Sequence, residues 1–239
     1  MTYLFQNILY RPILSLLVYF YETVAFWDFG VAIILVTILI RLVLFPLFHK
    51  SSKQQMLMQR IQPKIKKIQE LHKSDKEKQS QALMELYKEH GVNPFSSIFL
   101  LIIQLPIMIG LFYVVRSGLT PGGLVGLYSF IPTPSAINPM FLGIINLAKP
   151  NLYLIALAAI AQYFQGRLAV YRDPKNTAPL TPQEKMARQM AFIGPLITIF
   201  IFYSLPSAVV LYWFITSVFS VFQQTLINKN FKEGETAAI

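Results

Sequence analysis

Cysteine is missing from the 239-residue chain altogether. Its absence excludes structural disulfides, thiolate metal sites and a lipidated N-terminal cysteine. Histidine is scarce, with His49, His72 and His90 the only three, and eleven acidic residues face twenty-one Lys and Arg. None of the five apolar runs described below holds an Asp, Glu, Cys or His. That leaves no intramembrane carboxylate pair, no HExxH zinc site and no GxSxG serine elbow, which argues against an intramembrane hydrolase and against enzyme activity generally. A proton- or sodium-coupled carrier would also want an acid at mid-membrane. No metal, cofactor or small-molecule substrate is expected.

What is present is apolar surface. With 54% apolar residues, 14% aromatic and 13% charged, the chain is too hydrophobic for an ordinary soluble domain and reads as an integral membrane protein. The decisive stretch is residues 29–48, FGVAIILVTILIRLVLFPLF, long enough at about 30 Å to cross the hydrocarbon core yet carrying Arg41. As one continuous helix it would hold Arg41 about 12 Å from its His49 end, near mid-depth, where an arginine costs on the order of 3 kcal/mol. Two readings solvate it: snorkelling to the nearer surface, helped by a kink at Pro46, or a wet polar cavity inside the bundle that keeps a free cation for something acidic.

The remaining organisation is read in chain order. Residues 1–28 have only nine uninterrupted residues between Pro12 and Glu22, and the expected element is an amphipathic helix lying at the membrane interface. Residues 49–94 are polar, with ten Lys/Arg against five acids, and predict a basic helical hairpin. One helix carries Leu57, Ile61, Ile65, Ile68 and Leu71 at helical spacing, bent at Pro63; the other carries Leu83, Leu86, Tyr87 and His90. Ser74 with Glu77 reads as a capping box opening the second helix, and Gly91 and Pro94 close it. The hairpin is either a self-satisfied coiled coil or a docking arm for a cytosolic partner or anionic headgroups.

A second span covers 95–115, with Gln104 inside it either as packing glue or facing the bundle interior. A Gly- and Pro-rich connection, 116–150, should rest on the membrane surface. The third span covers 151–170, where Gln162 and Gln165 share a helix face. A polar loop follows over 171–188, then a short fourth span, 189–205, a fifth over 206–227, and a tail over 228–239. Lys and Arg number 17 in the segments 49–94 and 166–188 and the tail, against 3 on the other side, so the N-terminus is expected outside and the C-terminus in the cytoplasm. Topology thus accounts for the net charge of +10 without nucleic acid.

Four stretches together resemble the YidC family of membrane protein insertases, with its mitochondrial and chloroplast relatives. They are IRLVLFPL (40–47), NPFSSIFLLIIQLPIMIGLFYVV (93–115), FLGIINLAKPN (141–151) and PSAVVLYWFITSVFSVFQQTLI (206–227). Their order and spacing cover nearly the whole chain. One departure is Ile215-Thr216-Ser217, where a polar Ser-Asn pair belongs in the family.

The resemblance implies an all-α integral membrane protein of the bacterial plasma membrane: five transmembrane helices around a hydrophilic groove open to the cytoplasm and to lipid. It implies insertion of nascent membrane proteins, alone or with the Sec translocon, with the ribosome or the signal recognition particle pathway reaching residues 49–94 and the tail. By match to the family, Arg41, Gln104, Gln165 and Trp213 line the groove; spacing adds Gln162 and Thr216. Trp213 and Tyr212 read equally well as interfacial or packing aromatics. A small-solute channel or transporter is the competing class, and a passive assembly chaperone a third.

Overall fold

The computed structural model describes residues 3–120, 123–169 and 182–236, and it is predominantly helical. Most of the polar loop expected over 171–188, and the end of the tail, lie outside the described residues.

The chain opens with α1 (Tyr3–Phe5), a π-helical turn (Gln6–Tyr10) and α2 (Arg11–Thr23), in one run. Pro12 sits in the first turn of α2, directly after the π-helical turn in which the Arg11 N–H reaches back five residues to the Gln6 carbonyl. Ile13, Leu14, Leu17, Val18 and Tyr21 recur at helical spacing and are all buried. This face packs on α3 (Phe29–Val43) and α6 (Ser96–Gly118), so the N-terminal helix is part of the bundle core.

Between α2 and α3 the chain makes a strained turn. Phe26 (φ 50°) and Trp27 (φ 59°) are both left-handed, at roughly 1–2 kcal/mol each for residues with a Cβ. Asp28 then holds the turn with both carboxylate oxygens. Oδ1 accepts from the Val31 N–H at 2.9 Å, capping α3, and Oδ2 accepts from the Leu142 N–H at 2.6 Å. Leu142 belongs to a hairpin of β1 (Met140–Phe141) and β2 (Ile145–Asn146), with Phe141 opposite Ile145. Phe141 lies so close to α3 that a Cβ on Gly30 would meet its ring at 2.1 Å. We expect Asp28→Ala to lower stability by about 1–2 kcal/mol, because a cap and a loop anchor go together. Asp28→Asn, which keeps an acceptor, should lower it less. Unfolding midpoints in detergent read the difference, and an unchanged midpoint for the alanine variant would contradict it.

The single span expected over 29–48 is not one helix. α3 stops at Val43, and α4 (Phe45–Leu71) leaves at 66° to it. The cause is Pro46, which has no N–H for the carbonyl four residues back and whose ring crowds it, so the ladder breaks at Leu44. Pro46 itself falls in the first turn of α4. Arg41 therefore stands in the last turn of α3, not in the middle of a continuous helix.

α4 pairs with α5 (Lys76–Glu89) as a hairpin with its own small core: Ile61, Ile65, Leu86 and Val92, flanked by Leu57, Ile68, Leu83 and Tyr87. Leu71, expected in that seam, is 76% exposed at the frayed end of α4. The cap of α5 is Asp75, not Ser74: its carboxylate accepts from the Lys78 N–H at 3.1 Å, and that bond draws its pKa below the usual carboxylate value. An Asp one residue closer reaches the first free N–H more directly.

The bundle is completed by α7 (Leu152–Ala169), α8 (Pro182–Phe202) and α9 (Ser207–Thr236), with α9 touching α3, α6, α7 and α4. Small residues on α7, among them Ala158, Ala159 and Ala161, are buried and let its neighbours approach closely. By length and composition, Ser207–Lys229 is the one described helix that passes as a membrane span, or one of two if the bent α3–α4 pair is a single broken span. Shorter apolar helices cover Ile102–Gly118 and Ala191–Phe202.

Candidate functional site

Arg41 faces inward, 5% exposed. Its Nη2 donates to the Thr216 carbonyl at 3.1 Å and to Ser220 Oγ at 3.0 Å, both on α9. The Ser220 hydroxyl donates in turn to the Thr216 carbonyl at 2.9 Å. The guanidinium carbon lies 4.3 Å from the centre of the Phe48 ring and 6.0 Å from that of Phe219. Nη1 is buried with no hydrogen-bond partner. Among the described residues no carboxylate pairs with Arg41.

The break at Leu44 helps explain how this charge is tolerated. At the C-terminal end of α3 unpaired carbonyls present a partial negative charge, which favours a cation within the last turn. A carbonyl, a hydroxyl and two aromatic faces add to that, worth roughly 0.5–2 kcal/mol for a well-placed ring. None of these is a full negative charge. One edge of the guanidinium stays unanswered, so the site can bind an anionic or strongly accepting oxygen.

The other sequence-derived residues are distributed along α6, α7 and α9. Gln104 on α6 donates through Nε2 to the Tyr212 hydroxyl at 2.5 Å. Tyr212 is one helical turn from Thr216, so Gln104, Tyr212, Thr216 and Arg41 follow one strip of α9. Trp213 is half-buried, its ring centre 5.5 Å from that of Phe202 on α8, and its Nε1 is enclosed without a partner. Gln162 accepts a hydrogen bond from Thr198 and ties α7 to α8. Gln165 is half-buried three residues further along α7.

Access to Arg41 is blocked in this conformation. Phe48 lies in the second turn of α4, and the rest of that helix is tied across the same end of the bundle by side-chain amides and hydroxyls. Ser51 Oγ donates to the Ser96 carbonyl at 2.6 Å, Gln59 Nε2 to the Ala169 carbonyl at 2.7 Å, and Gln223 Nε2 to the Phe45 carbonyl at 3.2 Å. A cavity of about 390 Å³ lies in the 118–137 connection and includes none of the site residues.

The family model described as "60Kd inner membrane protein" matches residues 19–234. A membrane protein insertase YidC from Clostridium tetani is 35% identical over 211 residues, covering 88% of this chain and 86% of its own. The chain belongs to the YidC family of membrane protein insertases. The YidC of Wolinella succinogenes is 32% identical over 95% of this chain but only 38% of its own length is spanned. A crystal structure of an active YidC insertase with its first transmembrane domain resolved superposes with a TM-score of 0.62 at 26% identity, over 93% of this chain and 46% of that one. These YidC relatives are bacterial and the matching family is one of inner membrane proteins, which assigns the chain to the bacterial inner membrane.

Sequence reasoning missed four partners in this YidC-family chain. Phe48 and Phe219 gave no signal, because aromatic residues abound and the break at Leu44 redirects Phe48. Tyr212 was noticed but not paired, and Thr198 was overlooked because it stands alone in an apolar run.

Proposed function

We propose that the chain inserts nascent membrane proteins into the bacterial inner membrane, moving short hydrophilic segments partway across and releasing apolar segments into lipid. The observation that carries the reading is the buried guanidinium of Arg41, held by a carbonyl and a hydroxyl, with one edge free and no acid beside it. A hydrophilic tail crossing hydrocarbon loses several kcal/mol for each unpaired polar group. A cation that is never permanently neutralised can attract an acidic segment and then let it go, whereas a salt bridge would have spent that attraction.

In this reading a first span broken at Leu44 and four further spans, 95–115, 151–170, 189–205 and 206–227, enclose a hydrophilic groove. Arg41, Gln104, Gln165, Trp213 and Thr216 line it, and Gln162 supports it through α8. The N-terminus lies outside and the basic hairpin in the cytoplasm, positioned to meet the Sec translocon, the ribosome or the signal recognition particle. The covered state of Arg41 is then a resting state, and the α4–α5 arm must swing at Leu44 before a substrate reaches the charge.

The test is a photoreactive amino acid at position 213 during translation of a small membrane protein. Crosslinks to the nascent chain that disappear once its apolar segment is complete are expected, without steady ion conductance in planar bilayers. Conductance without crosslinks would favour a channel.

A further inference from the structure

The end of the bundle away from the basic hairpin carries an unusual concentration of outward-facing apolar residues. Phe26 is 92% exposed and Trp27 65%, on the turn between α2 and α3. Beside them, joined through Asp28, the β-hairpin presents Leu142 and Ile144, the latter 80% exposed. Phe26, Trp27 and Leu142 are also the only residues other than glycine with positive φ among the described residues. Three large apolar side chains are thus held outward on the costliest backbone in the molecule. The hairpin cannot fold back over them, because Gly30 and Phe141 are already in contact and Tyr21 Oη accepts from the Asn138 N–H at 3.0 Å.

We infer that the Phe26-Trp27 turn and the Leu142-Gly143-Ile144 tip form one wedge that inserts into the lipid leaflet opposite the basic arm. Three observations select lipid as the occupant. Residues 130–148 contain no charged side chain, and the single charge of the adjoining turn, Asp28, has both oxygens engaged within the protein. The patch continues at the same end of the bundle into Tyr153 on α7 and Tyr203 beyond α8, 82% and 66% exposed, and the α9 start there is tied to the Leu147 and Lys149 carbonyls. Apolar exposure contributed by several elements at one level, rich in Trp and Tyr, matches the boundary between headgroups and acyl chains. A wedge fixed there also sets the depth of Arg41, which stands about 21 Å along α3 from Trp27. The inference does not depend on what meets that arginine.

The cysteine-free chain allows a direct test. Phe26→Cys, Ile144→Cys and, for comparison, Lys73→Cys in the α4–α5 turn are spin-labelled singly and reconstituted in phosphatidylcholine and phosphatidylglycerol vesicles. Dissolved oxygen, which concentrates in lipid, is expected to relax the labels at 26 and 144 several times more than a water-soluble nickel complex, with the order reversed at 73. Stronger relaxation by the nickel complex at either wedge position overturns the inference. So does shielding from both reagents, the result expected if a second protein covers the patch. Both substituted side chains point outward; should Phe26→Cys nevertheless fail to fold, quenching of Trp27 by brominated lipid in Trp213→Phe gives the same decision, and quenching by aqueous iodide alone overturns it.

Discussion

Arg41→Ala is expected to slow insertion of a substrate with an acidic translocated tail by about tenfold or more in proteoliposomes, since a hydrogen bond to a charged group is worth about 1.5–3 kcal/mol. Arg41→Lys should stay within a few-fold of the parent, because an ammonium keeps the charge. A substrate whose tail is neutral should insert at nearly the same rate with all three proteins. The bundle itself should survive the alanine change. Two hydrogen bonds to α9 are lost, but so is the cost of keeping a cation out of water, and the two effects oppose each other. If Arg41→Ala handled the acidic tail at the parent rate, the electrostatic step would be wrong even though the family membership stood.

The second large effect concerns the arm. Gln224 Nε2 lies 3.5 Å from Met56 Sδ, which places α4 directly against α9 beyond Ser220. Cysteines at positions 56 and 224, bridged by a short bismaleimide with a cleavable linker, should hold Phe48 over Arg41. Insertion is expected to fall to near background and to recover on cleavage. The same cysteines left unbridged serve as the control. Full activity in the bridged protein would mean that substrates reach the charge without moving α4, and the covered guanidinium would need another entrance.

Much of this was readable from residue order. The hairpin between 49 and 94 and the lone arginine follow from spacing and from the distribution of charge, whereas residues 1–28 were expected to lie at the interface and α2 instead buries its apolar face in the bundle core. Two other features did not follow. The break at Leu44 is a contest between a strong apolar helix pattern and one proline, and pattern alone does not say where the ladder gives way. The covering of Arg41 by Phe48 follows from the direction α4 takes after that break, a tertiary fact with no local signature. Thr216, whose carbonyl holds Arg41, was among the residues read from spacing. Thr198 was not, since its partner Gln162 lies on another helix.

The brevity of the uncharged part of α8 has an electrical consequence. Beyond its last charge, Arg188, the helix runs over residues 189–202 and rises about 21 Å before the chain turns into α9. In the proposed orientation the transmembrane voltage would fall across that shorter insulating layer where lipid adapts to it, making the local field about 1.4 times steeper than across 30 Å. Each acidic residue drawn outward gains about 2.3 kcal/mol per 100 mV from the whole drop. Beside this shorter stretch it collects that energy over a shorter journey, so the resting potential of the cell would pull hardest next to the turn from α8 into α9.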